Sequence, residues 1–320
     1  MTPLPASDRS SLPSIAVVVC AYTENRWDEL VACVEALRNQ TVPPAEQFVV
    51  IDHNEALFSR ARAEFTELTV LENAGDQGLA GARNTGIAAA TADVVAFVDE
   101  DATPALDWIE RMAANFADDD VLGVGGPIEP MWLGGRPAWF PDEFLWIVGC
   151  TYRGLPTETA AIRNLIGCNM SVRREVFDEI GTFRIGRVGT LSIGQENDET
   201  ELCIRALQRF PGRRFVYAPD VRVVNHRVPG TRSSITYYLK RSFSEGISKA
   251  RLSGMVGADD GLSSERSYVL KTLPSGILSG FAAPLRGQFS GPLRSGAILL
   301  GLGSTGVGFV VGKAMKLAGR

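Results

Sequence analysis

The stretch VVAFVDEDATP, residues 94–104, decides the reading of this chain. Its opening residues, Val, Ala and Phe, form an apolar run that reads as a buried strand. The run ends abruptly in Asp99, Glu100 and Asp101. Asp99 and Asp101 stand two apart, so both reach one centre where the strand opens into a loop. Three carboxylates at a strand end are costly unless water or a cation neutralises them. A hard divalent ion, Mg²⁺ or Mn²⁺, carrying a diphosphate is the natural partner. A solvated acidic turn is the other reading of so short a cluster.

Outward from this stretch the chain alternates strands and helices from Ile15 onward. IAVVVCAY, QFVVID and LTVLEN read as three further strands. Asp28 to Asn39, Ala56 to Glu67, Gly81 to Ala90 and Trp108 to Phe116 carry helical spacing of apolar residues. Such alternation predicts a parallel sheet with right-handed crossovers. Ligands then bind outside the carboxyl ends of the strands. Those ends carry Tyr22-Thr23-Glu24, Asp52-His53-Asn54 and Asp99-Glu100-Asp101, so polar groups gather at one rim. In the link after the third strand, NAGDQGLAGARNTGIAAA (73–90), Gly75, Gly78 and Gly81 let backbone approach a ligand closely. Arg83 follows in the first turn of the helix, placed to face a phosphate.

The order of these motifs resembles family 2 glycosyltransferases, the inverting enzymes of the GT-A fold. The shared pattern is strand–AYTE, strand–DHNE, the glycine link ending in A-R-N, and strand–DED. The resemblance covers roughly residues 14–250 and continues in NLIGCNMSVRREVFDEIGTF (164–183) and GQENDETELCIRAL (194–207). It implies a Rossmann-like, mostly parallel sheet flanked by helices. It also implies a role for each matching residue. Ala21, Tyr22 and Glu24 would border the base and ribose of a nucleotide, and Asp52 would accept a hydrogen bond from a uracil imide. Gly78 and Glu100 would line the donor, and Arg83 would contact the diphosphate or ribose. Asp99 would bind ribose or water on the metal, Asp101 would ligate the Mn²⁺ or Mg²⁺, and His226 would reach the metal or diphosphate. Glu199 takes the place of the acceptor's base beside Asp198. Glu196 competes for that place, because the chain has extra residues here. A Q-x-x-R-W motif is absent, and KRSFSEG (240–246) stands in a comparable place; single or distributive transfer is expected, not polymerisation.

The implied reaction is one displacement at the anomeric carbon of a nucleotide-diphosphate sugar, with UDP as the expected carrier. One base and an in-line attack invert the configuration, and no Cys or Ser nucleophile is needed. Two other classes fit parts of the pattern. A sugar nucleotidyltransferase also pairs carboxylates with Mg²⁺, but it opens with a glycine-rich basic loop that CAYTENR lacks. An inactive nucleotide-sugar-binding module would not be expected to keep Asp101, Glu199 and Arg83 together.

Composition sets the surroundings. The chain has 320 residues, is 45% hydrophobic and 22% charged, and carries a formal net charge of −5. The charge is uneven: residues 232–320 hold 12 Lys/Arg against 4 Asp/Glu, and everything before is acidic. An acidic body with a basic, apolar tail does not suit nucleic acid; it suits an anionic lipid surface, here residues 266–320. The five cysteines form no C-x-x-C pair, which fits reduced thiols in the cytoplasm. MTPLPASDRSSLPS lacks the charge and apolar order of a signal peptide and reads as a disordered lead over residues 1–13. A catalytic domain is expected over 14–231, its nucleotide half 14–125 and its acceptor half 126–231, with a helical extension over 232–320. Residues 295–312 carry no charge, but six of them are Gly, and Pro274, Pro284 and Pro292 interrupt what precedes. One or two apolar helices lying in or dipping into the inner leaflet are expected; a full span, a packed helical pair and a homo-oligomer interface are the alternatives. The tail makes a lipid-linked or cell-envelope glycan the expected acceptor.

Overall fold

In this computed structural model residues 12–184, 198–255, 257 and 263–317 are described; most of the N-terminal lead, and Gln195, Glu196 and Asn197, lie outside them. They form two compact units. The first holds the chain up to Glu129, then Pro156 to Arg184 and Asp198–His226. The second holds Pro130–Leu155 and the chain from Arg227 onward.

The alternation read from the sequence is present in the first unit. β1 (Ile15–Ala21), α1 (Trp27–Arg38), β2 (Glu46–Ile51), α2 (Glu55–Glu64), β3 (Thr69–Glu72), α3 (Leu79–Ala89) and β4 (Val94–Asp99) follow one another. The four strands lie in the order β3-β2-β1-β4 and pair in parallel. β1 is buried at every residue, as a strand covered on both faces must be. Its register sets Ala21 beside Ile51 and Cys20 beside Asp99, so the carboxyl ends of three strands finish level. Close packing of α3 depends on Gly86: a Cβ there would stand 2.5 Å from Val18 Cγ1. α3 starts at Leu79, two residues earlier than expected, and Arg83 therefore falls in its second turn.

Beyond β4 the chain continues through β5 (Thr103–Pro104), α4 (Trp108–Asn115), β6 (Val121–Gly125), β7 (Ile128–Trp132), β8 (Ala160–Ile162), β9 (Met170–Arg173), α5 (Arg174–Ile180), α6 (Asp198–Arg209), β10 (Arg214–Tyr217) and β11 (Val223–Val228). Here the sheet departs from a simple parallel succession. β9 enters antiparallel between β4 and β6, and the eight strands run β3-β2-β1-β4-β9-β6-β10-β8. A three-stranded sheet takes the order β5-β11-β7.

In the second unit α7 (Ile235–Met255), α8 (Ser263–Ser267), α9 (Leu273–Ala282) and α10 (Gly291–Leu317) follow. Pro292 stands second in α10, where a missing N–H costs nothing, whereas Pro274 follows a π-helical stretch, Tyr268–Thr272, that runs directly into α9. The glycines also have a packing reason. A Cβ on Gly308 would meet the Phe243 backbone of α7, and one on Gly312 would meet Ala250 Cβ at 2.8 Å. α10 thus lies along α7 on its glycine stripe, a packed helical pair. Tyr238 of α7 is buried between Phe140 and Phe144 and donates to Ala297 O at 2.9 Å. The tail is also apolar and exposed at Leu278, Phe281, Leu285, Phe289 and Val310. Among the described residues α10 is the one helix long and apolar enough to cross a membrane, with mean hydropathy 1.6 over its best window.

Candidate active site

The carboxyl ends of β1, β2 and β4 bring the expected polar residues to one rim of the first unit. Two smaller constellations make it up.

The first is built around Asp52, which follows β2. Its Oδ2 accepts from Gly78 N at 2.9 Å. Its Oδ1 accepts from Asn73 Nδ2 at 2.6 Å and faces His53 Nδ1 at 2.9 Å. Asn73 is buried and also donates to Asp76 O, while its own oxygen accepts from Gly75 N and Thr85 Oγ1. One amide therefore folds the glycine link, and Gly81 is required there because a Cβ would strike Asp76 O. His53 turns at a positive φ of 49° and lets Asn54 cap α2 through Leu57 N. Asn54 Nδ2 donates to Tyr22 O, tying the ends of β1 and β2. Tyr22 is exposed, with the Arg26 guanidinium 5.6 Å from its ring centre. Glu24 is exposed in a single 3₁₀ turn, and Ala21 is buried at the end of β1.

The second constellation is the acidic cluster itself. Glu100 and Asp101 are buried and share one cation, Arg26, at 2.6 and 3.1 Å. Burial and the Asp101 carboxylate push Glu100 up to about 7 despite that partner. Arg83 is buried against the rings of Phe97 and Phe183, with Asp99 Oδ1 3.6 Å away. Gly167 leaves the space it needs: a Cβ would stand 2.5 Å from an Arg83 nitrogen.

Two antiparallel registers complete the cluster. β9 pairs with β4 as far as Phe97↔Met170, with Asp99 two residues after Phe97 and Cys168 two residues before Met170. β11 pairs with β5 as far as Val224↔Thr103, with His226 two residues after Val224 and Asp101 two residues before Thr103. His226 Nδ1 lies 3.5 Å from Asp101 Oδ1 and 3.6 Å from Cys168 Sγ. Both Val223 and His226 are buried although strict alternation would part them; Asn225 reconciles this by taking φ 56°. Ligand atoms of Asp99, Cys168 and His226 all fall within 4.8 Å of one another. His226 Nε2 is buried without a hydrogen-bond partner. A carboxylate, a thiol and an imidazole with an orphan ring nitrogen are a three-residue donor set that fits a divalent cation.

α6 supplies the remaining acids. Glu201 is buried and held by Arg205 at 2.9 Å and Arg184 at 3.0 Å, which fixes the start of the helix. Asp198 and Glu199 stand side by side in that first turn. Burial, then the Glu199 carboxylate, pushes Asp198 up to about 7, against the pull of the Arg83 charge. Glu196, the competing base, lies outside the described residues. None of the five cysteines is disulfide-bonded, and burial pushes Cys20 and Cys203 up to about 12, which removes them as nucleophiles.

Sequence reading missed Arg26, Asn73, Cys168 and Asn169 as site-building residues. Asn169 is buried, accepts from Trp108 Nε1 at 2.9 Å and donates to Val221 O at 2.7 Å, so it pins the segment that presents Cys168. A polar Asn beside a buried strand was the available signal.

Residues 16–181 match the model of glycosyl transferase family 2. A glucosyl-dolichyl phosphate glucuronosyltransferase of Haloferax volcanii is 36% identical over 241 residues, 73% of this chain and 76% of the relative. The fold is that of a mannosyltransferase from Pyrobaculum calidifontis, solved with GDP-Man and Mn²⁺ (TM-score 0.57, 18% identity, 92% of this chain and 88% of that one). It is also that of GalNAc-T7, solved with UDP, GalNAc and Mn²⁺ (TM-score 0.51, 19% identity, 74% of this chain and 48% of that one). The mixed sheet flanked by helices is thus a GT-A fold, and the chain belongs to glycosyl transferase family 2, whose members transfer sugars.

Proposed function

We propose that this enzyme transfers a sugar from a nucleotide-diphosphate donor, with UDP as carrier, to a hydroxyl of a lipid-linked glycan, inverting the anomeric centre. The observation that carries this reading is the convergence of Asp99, Asp101, Arg83 and His226 at the carboxyl end of β4. Tyr22, Glu24 and Asp52 take the nucleoside side of that rim, and the Gly78 loop lets the backbone come close to it. Arg83 and Arg26 supply fixed positive charge toward the diphosphate, already oriented by their stacking and ion pairs. Asp99 and His226 would hold the divalent ion, with Asp101 behind the imidazole. When bound there, Mn²⁺ or Mg²⁺ would neutralise the leaving nucleoside diphosphate as a Lewis acid.

Glu199 accepts the proton of the attacking hydroxyl in this reading. Asp198 is a second candidate for that step, and its carboxyl near neutrality favours it, because a base works best with a pKa near the working pH. The dolichyl-linked substrate in the name of the Haloferax relative, together with the exposed apolar tail, supports a lipid-linked acceptor met at the inner face of a membrane. Release of UDP from candidate UDP-sugars, with and without Mn²⁺ and with polyprenyl-phosphate glycans as acceptors, tests the function. Glu199→Gln is expected to keep donor binding and lose about 10²- to 10⁴-fold in kcat. Activity surviving in Glu199→Gln but not in Asp198→Asn moves the base to Asp198. Metal-independent nucleotide exchange with no sugar transfer refutes the whole reading.

A further inference from the structure

We propose that Cys168 is a thiolate donor in the cation site, so that Asp99, Cys168 and His226 together hold the ion and tilt its choice toward softer metals. The proposal rests on the nucleotide-sugar reading and goes beyond it by assigning a sulfur ligand.

Three independent observations meet at this point. The ligand atoms of the three residues lie within one ion's reach of each other, at most 4.8 Å apart. His226 is 3% exposed and its Nε2 has no hydrogen-bond partner, a costly arrangement that a bound ion or its water would relieve. The backbone beside Cys168 is also held in place: the next residue, Asn169, accepts from Trp108 Nε1 and donates to Val221 O.

A buried cysteine ordinarily behaves as a small apolar residue. Cys33 fits that description: it is fully buried on the apolar face of α1 with Leu30, Val34 and Leu37. Cys168 differs, since its sulfur meets an imidazole nitrogen at 3.6 Å and the end of an acidic strand. Asp101 is engaged by Arg26 and faces His226 Nδ1, which suits it to orient the ring. That leaves the sulfur as the third donor. On binding, the thiol loses its proton to solvent and the sulfur lone pair forms the metal bond. Thiolate favours Zn²⁺, Cd²⁺ and Co²⁺ over Mg²⁺, so a sulfur ligand separates this site from one built on oxygen alone.

The test uses the full chain, stripped of metal and titrated with Co²⁺, alone and with UDP. The expected result is a near-ultraviolet sulfur-to-cobalt charge-transfer band that saturates at one equivalent, is lost in Cys168→Ser and is kept in Cys33→Ala. Cadmium NMR of the unmutated protein should show the downfield shift of a sulfur donor, which keeps the test valid if Cys168→Ser folds poorly. Co²⁺ bound without a sulfur band, a band that survives Cys168→Ser, or a cadmium shift typical of oxygen and nitrogen donors overturns the assignment of Cys168 and leaves the sugar-transfer reading standing. No binding of UDP with any of these ions overturns that reading and this proposal with it.

Discussion

Arg26 is the test of how the acidic rim is held together. Its Nη1 lies 2.6 Å from Glu100 and 3.1 Å from Asp101, whose side chains are 8% and 6% exposed, while its own is 24% exposed. Arg26→Met keeps the aliphatic stem and removes the charge. Removing one partner of a buried pair costs about 3–5 kcal/mol, because a charge is left buried without compensation. Partial exposure of Arg26 argues for the low end, about 3 kcal/mol. Against a total stability of roughly 5–15 kcal/mol this is a large loss. It corresponds to a fall in Tm of roughly 5 °C, since each kcal/mol moves a large domain by only a few degrees. Thermal and urea melts of parent, Arg26→Met, Glu100→Gln and the double variant form a cycle. The double variant is expected to recover at least about 1 kcal/mol relative to additivity, because the amide no longer needs a counter-charge. Strict additivity, or an Arg26→Met protein that melts with the parent, would refute the ion-pair account of the rim.

Asp198 gives a pH prediction. Its folded carboxyl, at about 7 against an ordinary 3.8, keeps a proton that the unfolded chain has released, so it makes stability fall as pH rises from about 4 to about 7. With Glu199 and Glu201 beside it and Arg83 opposing them, Asp198→Asn should flatten that slope by about 2 kcal/mol after allowing for solvent screening; parallel melts at both ends of the range that differ by a constant would contradict this. In the tail, Gly308→Leu drives a side chain into the Phe243 backbone and should cost about 1–3 kcal/mol, whereas Gly306→Leu, with open space around its Cβ, should be neutral or stabilising in the same melts. The exposed Leu285 and Phe289 should carry association with anionic vesicles: co-sedimentation should weaken but persist at high salt, and should be lost in a Leu285→Ser, Phe289→Ser variant. An intact chain that stays in the supernatant at low salt rules out the lipid surface.

The half of the site that was legible in the sequence is the half built by neighbours in sequence. Apolar runs ending in polar residues marked β1, β2 and β4, and strand–helix alternation implied that their carboxyl ends share a rim. Residue spacing alone also placed Asp99 beside Asp101, and the glycine link beside Arg83. Partners set by tertiary register were not legible. Cys168 meets Asp99 only because β9 runs antiparallel to β4, and nothing in a single apolar strand states its direction. Arg26 lies in a short turn with no periodicity and finds its carboxylates 74 residues away. The tail misled in an instructive way. Gly and Pro lower intrinsic helix propensity, yet α10 forms because the same glycines let its backbone meet α7 and its proline stands where a helix begins.

The hydrogen-bond arithmetic of the rim explains why it can serve a highly charged donor. Asp52 has both oxygens engaged by Asn73, His53 and Gly78, and Glu100 and Asp101 are engaged by Arg26. Arg83 lies against two rings, Phe97 and Phe183, which hold its guanidinium in place. Asp99 is different: Arg83 stands a long 3.6 Å from its carboxylate, and its side chain is 28% exposed. Together with the orphan Nε2 of His226, it is the part of the rim with bonding capacity still to spend. Under the proposed function, a metal–diphosphate bound there would meet charges that are already positioned, which is the condition under which fixed dipoles and ions stabilise a developing leaving-group charge most strongly. Folding, not substrate binding, therefore bears the cost of gathering these like charges, and Arg26 is the residue through which it does so.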